Sequence, residues 1–585
     1  MAKTVAFIKG YLIRRIKEIT YHSVIVKIIT AVAAVSLYLI MTSEFVFDTR
    51  DYFLSISLLP YILSVTGIFL ISVAAIPKKV DPYLLLSLIC LIFAKTNYDN
   101  KGLYFALATS LAIGGFAFFF GKDIKLPNIK NRTAVIICAI LGTLLALFIG
   151  GLTILKYLDY KTPNFDFGIF AQMYHYMSKT FIPYTTCERD MLLSHFAVHF
   201  SPILYIALPV YMIFPHPATI LAVQAVAVAL GVIPLYKLSK HFGLSNNKTI
   251  ALVIIYVLHP TVIANNFYYF HENCFLTVLL LWLFYFAEKK KAVPMYIFAF
   301  LTMFVKEDAP IYVLFFGLYL IISNKRKLHG AIMSVLSVIY FVATTILMSI
   351  FGQGIMTYRY DNFIFEDGGT LVDVVLNVIK NPTYVFDQIL TVEKLEFLIP
   401  MLIPMALLPF AIKKPSRIVL LGPLVLINLM TNYVYQYDIG FQYTYASTAF
   451  LFYLAAMNVS ELDVSAAKKL LTCGVLASVI FFASINLSRM DTIKTYNANK
   501  ETNRVITETL AEIPKDKSIT SSTFFIPALW NRDEVYEDVY TDEITDYVVF
   551  DIRWSEGDYK KFVRQNPDYE VVSYEKGIIA VVRKK

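Results

Sequence analysis

Charge is scarce in this chain of 585 residues: 16% of positions are Asp, Glu, Lys or Arg, against 57% hydrophobic ones, and the mean hydropathy is +0.61. That excludes an ordinary soluble globule, in which about a quarter of the residues are charged, and points to a polytopic membrane protein. Cysteine is sparse as well. Cys90, Cys138, Cys187, Cys274 and Cys473 are scattered without a CxxC pair or a metal-ligand spacing, so neither a disulfide framework nor a zinc site is indicated. GxGxxG and Walker A patterns are missing, which leaves nucleotide binding unsupported, and no internal repeat or low-complexity tract stands out. The net charge of +9 does not signal a nucleic-acid partner, because Lys and Arg occupy short turns between apolar runs, the pattern of membrane topology.

The segment Met1 to Lys27 carries Lys3, Lys9, Arg14, Arg15 and Lys17 ahead of an apolar run with no small-residue cleavage site, and reads as an uncleaved anchor. With roughly 20 apolar residues needed for a crossing, about fifteen spans are predicted. They run from 24–42, 54–76, 82–95 and 103–120, through 133–156, 217–236, 248–264, 273–287, 292–305, 309–323, 330–351, 396–412, 417–433 and 443–459, to 467–487. Phe200 to Phe214 holds Pro202 and Pro209 and is short for a crossing. Reading it as interfacial or re-entrant places Lys78-Lys79, Lys122 to Arg132, Lys237 to Lys248, Lys289 to Lys291, Lys325 to Lys327 and Lys413-Lys414 with Arg417 on the cytoplasmic side together with the N-terminus. The loops 157–216 and 352–395 and the C-terminal tail then lie outside.

The expected fold is an all-α membrane bundle in three parts: a basic N-terminus with four helices (1–132), a transmembrane core (133–487) and a small extracytoplasmic α/β domain (488–585). In the tail, helices are predicted at 501–513 and 557–565, strands at 518–525 and 547–551, and a hairpin over 569–574 and 577–582.

Polar residues interrupt the apolar pattern on the outer side. Asp166 opens the loop 157–216, where its carboxylate can take the proton of an acceptor hydroxyl attacking a lipid-linked sugar, or can cap a helix starting at Phe167. The same loop runs through Cys187-Glu188-Arg189-Asp190 to His195 and His199, whose i, i+4 spacing predicts one helical face. They could bind a metal or phosphate, or only pack, and two histidines do not complete a metal set. In Tyr269-Phe270-His271-Glu272-Asn273, interfacial anchoring accounts for the aromatics, while His271 and Glu272 offer a donor and a carboxylate for a sugar-donor site. Asp308 before Ala309-Pro310 suits a helix start. Lys306, on the face that positive charge avoids, can hold a carrier phosphate. Arg359, in Tyr358-Arg359-Tyr360-Asp361, is a second phosphate candidate, because a guanidinium engages two oxygens at once. Simple solvation is the alternative for both cations.

Phe165-Asp166-Phe167-Gly168-Ile169-Phe170 with Gln172, then His195-Phe196, His199-Phe200-Ser201-Pro202 and Pro209 with Tyr211, open an ordered series of motifs. It continues with Gln224, Pro234 with Tyr236, Phe270-His271, Lys306-Glu307-Asp308, Tyr358-Arg359-Tyr360 and Gln442-Tyr443. The series resembles the family of membrane proteins known as domain of unknown function 2079, grouped with the GT-C glycosyltransferases, over roughly 133–580. The resemblance implies a GT-C-like bundle whose large first outer loop carries a catalytic acidic residue, here Asp166, and polyprenyl-phosphate sugars as donors. His195, His199, Gln172, Glu307 and Asp308 are taken as supporting residues. In GT-C enzymes of the oligosaccharyltransferase type several carboxylates bind a divalent cation. No second acidic motif matches here, so no metal ligand is assigned, and a divalent cation is the one cofactor the resemblance raises. The four spans before Ala134 fall outside it.

The expected function is an integral-membrane glycosyltransferase of the plasma membrane, moving a sugar from a polyprenyl-phosphate carrier to a glycan, lipid or protein acceptor on the extracytoplasmic face. Asp166 would be the general base, His271 and Glu272 would shape the donor site, and Lys306 and Arg359 would neutralise the phosphate. Two alternatives stand beside it: a transporter or flippase of a lipid-linked glycan or polymer, with charges lining a pathway, and a non-catalytic surface scaffold. The partners expected are the lipid-linked donor and membrane lipid, and no nucleic acid.

Overall fold

The computed structural model describes residues 19–43, 49–120, 128–354, 356–366, 369–538, 541, 544–554 and 556–585. The basic residues Lys3 to Lys17 and the first part of the Lys122 to Arg132 turn lie outside the described residues. Six helices among the described residues are long and apolar enough to cross a membrane: Tyr21–Ser43, Leu58–Ala75, Asn131–Leu158, Pro217–His241, Lys327–Phe351 and Val464–Ile485. A seventh span results if Asn246–Leu258 and Pro260–Tyr268, bent by 58° at His259, count as one. Leu59, Leu63, Ile71, Leu147, Ile339 and Ile350 stand exposed on these helices, an apolar surface that only lipid would cover.

Other expected spans are shorter or broken. Leu103–Phe119, Ala292–Met303 and Pro310–Ile322 are apolar but fall short of about 20 residues. The predicted spans 396–412 and 417–433 are not single helices: Val392–Leu402 gives way to tight turns at Ile403–Met405 and Leu408–Phe410, and Pro415–Leu421 to a wide turn at Leu424–Leu429. Pro404, Pro409, Pro415 and Pro423 each remove a backbone donor, which a helix interior does not tolerate. The 200–214 segment is likewise two short pieces, Pro202–Ile206 and Leu208–Ile213.

The centre of the bundle is Tyr445–Glu461, buried on all sides from Tyr445 to Val459, as an apolar helix must be when others surround it. Close packing elsewhere uses glycine. A Cβ on Gly330 would sit 2.5 Å from the Gly317 carbonyl, so the helices Pro310–Ile322 and Lys327–Phe351 touch backbone to backbone. The bend at His259-Pro260 frees backbone groups that lipid cannot satisfy, and buried side chains take them up. Asn265 Nδ2 donates to the Thr261 carbonyl (2.8 Å), Asn266 Nδ2 to Val262 (2.8 Å), and Gln224 Nε2 to Asn266 (3.1 Å). Gln224 Oε1 then accepts from the His271 amide (3.0 Å), which ties the bent segment to the turn beyond it.

Short strands β1 (Tyr184–Thr185) and β2 (Leu193–Ser194) pair antiparallel within the 157–216 loop. Residues 519–584 form a second sheet from β3 (Ile519–Ser521), β4 (Val535–Glu537), β5 (Tyr547–Asp551), β6 (Tyr569–Glu575) and β7 (Ile579–Lys584), in the order β4-β3-β5-β7-β6. β3 runs parallel to β4 and β5, and β7 antiparallel to β5 and β6. Side chains alternate between the two faces of the sheet. Val548, Phe550, Ala580 and Val582 meet the helix Glu556–Gln565. Val549, Ile579 and Val581 share a core with Ile506 and Leu510 of the helix Lys500–Ala511, and with Tyr160, Ile169 and Cys187 from the loop that carries Asp166.

Candidate active site

Asp166 lies in a wide turn, Asn164–Gly168, between Pro163 and the helix Ile169–Thr180. The N-cap of that helix is Gly168, with no side-chain cap bond, so Asp166 does not cap the helix. Its turn is held from behind by the C-terminal sheet: the Asn164 amide donates to Thr523 Oγ1 (3.0 Å), and Asn164 Nδ2 to Glu537 Oε2 (2.8 Å). The carboxylate opens into a cavity of about 140 Å³ whose wall includes His195, His199, His271, Tyr268 and Arg359. Burial pushes its pKa up from 3.8 to about 6, Lys306 pulling it down and Glu272 and Glu188 adding to the rise. Tyr268 lines the same cavity, and burial, with the Asp166 carboxylate adding to it, pushes the pKa of its hydroxyl up.

Each histidine of the wall is held by a carboxylate on Nδ1. His195 meets Glu188 Oε2 at 2.8 Å, His199 meets Glu307 Oε1 at 2.9 Å, and His271 meets Glu272 Oε2 at 3.1 Å. Burial opposes charge on His195, but Glu188 outweighs it and lifts its pKa above the ordinary value. Burial, reinforced by Lys306, drives His199 well below that value; burial also drives His271 down, against Glu272. Lys306 is therefore the cation of the inner pair: its Nζ lies 3.1 Å from Glu272 Oε1, and the two residues are 1% and 0% exposed. Burial works against both charges, but His271 and Lys306 hold Glu272 below the usual carboxylate range, and Glu272 holds Lys306 above its usual value. His271 Nδ1 lies 3.1 Å from the second carboxylate oxygen and accepts from the Asn273 amide at 3.5 Å.

Arg359, 8% exposed, sits 4.9 Å from the Tyr433 ring centroid and 5.1 Å from that of Tyr443, and its Nε has no hydrogen-bond partner among the described residues. Arg359 and Met356 also border a neighbouring apolar cavity of about 310 Å³, lined by Ile311, Leu314, Phe341, Val374 and Leu426, with Glu307 and Asp308 at its polar end.

The predicted site residues therefore separate into three sets. Asp166, His195, His199, His271 and Arg359 share one wall. Glu272, Lys306 and Glu307 stand behind it, so Lys306 does not reach the cavity as a phosphate ligand, because Glu272 holds it. Gln172 is not at the site: its amide bonds Thr185, Thr186 and the Arg532 carbonyl, joining the loop to the strand region before β4. Asp308 faces the apolar cavity and does not cap; the helix after it is capped at Ala309 without a side-chain bond. His195 opens a tight turn, His195–Ala197, and His199 lies two residues beyond it, so the two are not on an α-helix, although their rings still approach to 5.7 Å. Sequence reasoning gave no role to Tyr268, Glu188, Tyr433 or Met356. The signal was the density of aromatics in the outer turns, Tyr268-Tyr269 and Tyr433 to Tyr443. Among the described residues no group of three or more His, Cys, Asp or Glu side chains has the geometry to hold a metal ion. Of the two carboxylates that line the cavity, Glu188 is engaged by His195, and Asp166 alone does not make a ligand set for a divalent cation.

The exposed apolar helices and the polar cavity at their ends define a multi-pass membrane protein. The chain belongs to the family described as predicted membrane proteins of domain of unknown function 2079 (DUF2079), whose model matches residues 156–580. No curated protein matches it. Among solved structures it is similar to ArnT from Cupriavidus metallidurans in the apo state, at 11% identity and a TM-score of 0.41, over 76% of this chain and 98% of that one.

Proposed function

We propose that this protein is an integral-membrane glycosyltransferase that transfers a sugar from a polyprenyl-phosphate carrier to an acceptor hydroxyl at the extracytoplasmic face of the plasma membrane. In this reading residues 133–487 are a GT-C-like core and 488–585 an extracytoplasmic α/β domain bracing the catalytic loop. The observation that carries it is the junction at Arg359 of a polar cavity holding Asp166 and an apolar cavity between helices. A lipid-phosphate sugar needs such a pair of compartments: one for the prenyl chain, one for the sugar, and a cation where they meet.

The acceptor hydroxyl gives its proton to an Asp166 oxygen while its own oxygen attacks the anomeric carbon. The bond from that carbon to the phosphate oxygen breaks, and its electron pair leaves with the phosphate, whose charge Arg359 takes up. Tyr268 orients the carboxylate. The Lys306–Glu272–His271 set acts through the wall, Lys306 keeping Asp166 from rising further and His271 presenting Nε2 to the donor. The test is transfer from radiolabelled polyprenyl-phosphate sugars in membranes carrying the wild type or Asp166→Asn. Loss of a base removes about 10²-fold or more of the rate. Absence of wild-type transfer from every donor tried, or an Asp166→Asn variant as active as the wild type, overturns the proposal; donor lipid moved across the bilayer without transfer would replace it with the flippase reading.

A further inference from the structure

A second polar cleft meets the Asp166 cavity from another side. It measures about 420 Å³ and is bounded by Thr186, Cys187, Glu188, Arg189 and Asp190 of the outer loop and by Glu537 of β4, with Phe165 across it. Phe165, Glu188 and Arg189 belong to both spaces, so the cleft leads to the residue beside Asp166. The rim shared with the apolar cavity, Met356 and Arg359, has no residue in common with this one. The Asp166 cavity thus has one apolar approach and one polar approach.

We infer that the polar cleft is the acceptor site and that the acceptor is a neutral, hydroxyl-rich glycan; this rests on the transferase reading above. A nucleophile must approach the anomeric carbon from a side other than that of the leaving phosphate, and Arg359 fixes the phosphate at the other rim. Carboxylates are acceptor-only groups when ionised, so Glu188, Asp190 and Glu537 suit the O–H donors of a sugar, and against the one cation of the lining, Arg189, they leave the cleft net negative, which disfavours an anionic acceptor. Phe165 offers an aromatic face for the C–H side of a sugar ring, whose polarised hydrogens match the negative face of the ring. A separate sign of a missing ligand lies in the Asp166 cavity next to that rim: His195, buried to 2% exposure with Nδ1 on the rim residue Glu188, has no hydrogen-bond partner for Nε2 among the described residues. Glu537 comes from the C-terminal sheet, and its carboxylate also accepts from Asn164 Nδ2, two residues before Asp166. The sheet would thereby read the acceptor and support the base with one side chain.

The experiment is saturation-transfer NMR of the purified full-length protein with neutral hexose di- to tetrasaccharides, alongside the same sugars carrying a carboxylate. Binding of the neutral series, weakened about tenfold by Glu537→Gln and by Asp190→Asn, is expected, since a hydrogen bond to a charged group contributes about that much. Asp190 stands on the partly exposed rim, so its variant keeps the test valid if Glu537→Gln disturbs the sheet. Asp166→Asn should bind the neutral sugars while losing transfer, which separates failure of the acceptor site from failure of the transferase reading. No neutral binding by the wild type, equal or tighter binding of the carboxylated sugars, or neutral binding unaffected by both cleft variants overturns the inference.

Discussion

In the proposed transfer the base has to keep its proton affinity high enough to accept a proton from a hydroxyl, and burial gives Asp166 such an affinity against the pull of Lys306. The sign can be tested in two ways. Transfer should fall as pH drops through about 6, where Asp166 takes up its proton, rather than near the ordinary carboxylate value of 3.8. A pH–rate profile of initial rates measures this, and a lower limb near 4 would assign the base elsewhere. Stability should move the other way. Between 3.8 and about 6 the folded state holds a proton that the unfolded state has released, so folding loses stability as pH rises through that window, and the loss is complete above it. Asp166→Asn should therefore raise the melting temperature at pH 8 and leave it unchanged at pH 3. A buried ion pair behaves differently. Glu272→Gln strands Lys306 as an uncompensated buried cation, at about 3–5 kcal/mol of stability, whereas Glu272→Gln with Lys306→Met recovers much of it. Unfolding of the purified variants in detergent decides, and a double variant no more stable than the single one would refute the pairing.

At the scale of elements, the site depends on helices that break where they do. The bend at His259-Pro260 carries Tyr268 and His271 into the cavity wall, and the amide side chains of Asn265, Asn266 and Gln224 make it tolerable inside the bundle. Gly330→Leu is expected to separate Pro310–Ile322 from Lys327–Phe351 and to destabilise the protein by about 1–3 kcal/mol, as overpacking does. Thermal melting against Gly67→Leu, where a side chain meets nothing within 4 Å, isolates the packing effect. The long apolar runs, such as 133–156 and 330–351, and the strand at Tyr547–Asp551 were legible because length and residue type settle them without neighbours. The segments 396–412 and 417–433 misread as helices because hydropathy does not register the donors that Pro404, Pro409, Pro415 and Pro423 lack. β4 went unseen because Val535–Glu537 is too short to show a period. The same limit applies to the site. Asp166, His271 and Arg359 could be picked out as polar residues at span ends, but whether Lys306 faced the cavity or Glu272 depended on a turn geometry that spacing does not encode, and Tyr268 looked like any interfacial tyrosine.

Across the whole molecule, the C-terminal sheet and the membrane bundle meet at the loop that carries Asp166, and neither closes that core alone. Ile169 and Cys187 lie in one apolar cluster with Val549 and Val581. Thr186 Oγ1 donates to the Val535 carbonyl at 2.6 Å, and Arg553 Nη2 to the Tyr160 carbonyl at 3.0 Å. Tyr160 OH also meets Thr507 Oγ1 at 2.8 Å. Through these contacts the sheet fixes the position of the carboxylate without lining the Asp166 cavity itself. Weakening that joint should therefore lower catalysis before it lowers folding of the bundle. Val549→Ala together with Val581→Ala removes two buried side chains from the shared core, at about 1–3 kcal/mol each. The expected result is reduced turnover with the donor KM little changed, since Arg359 and the apolar cavity lie away from the joint, and faster hydrogen exchange confined to 160–190 and 519–584. An equal rise in exchange along Asn131–Leu158 and Val464–Ile485 would mean that the sheet supports the bundle as a whole and not the loop of Asp166 in particular.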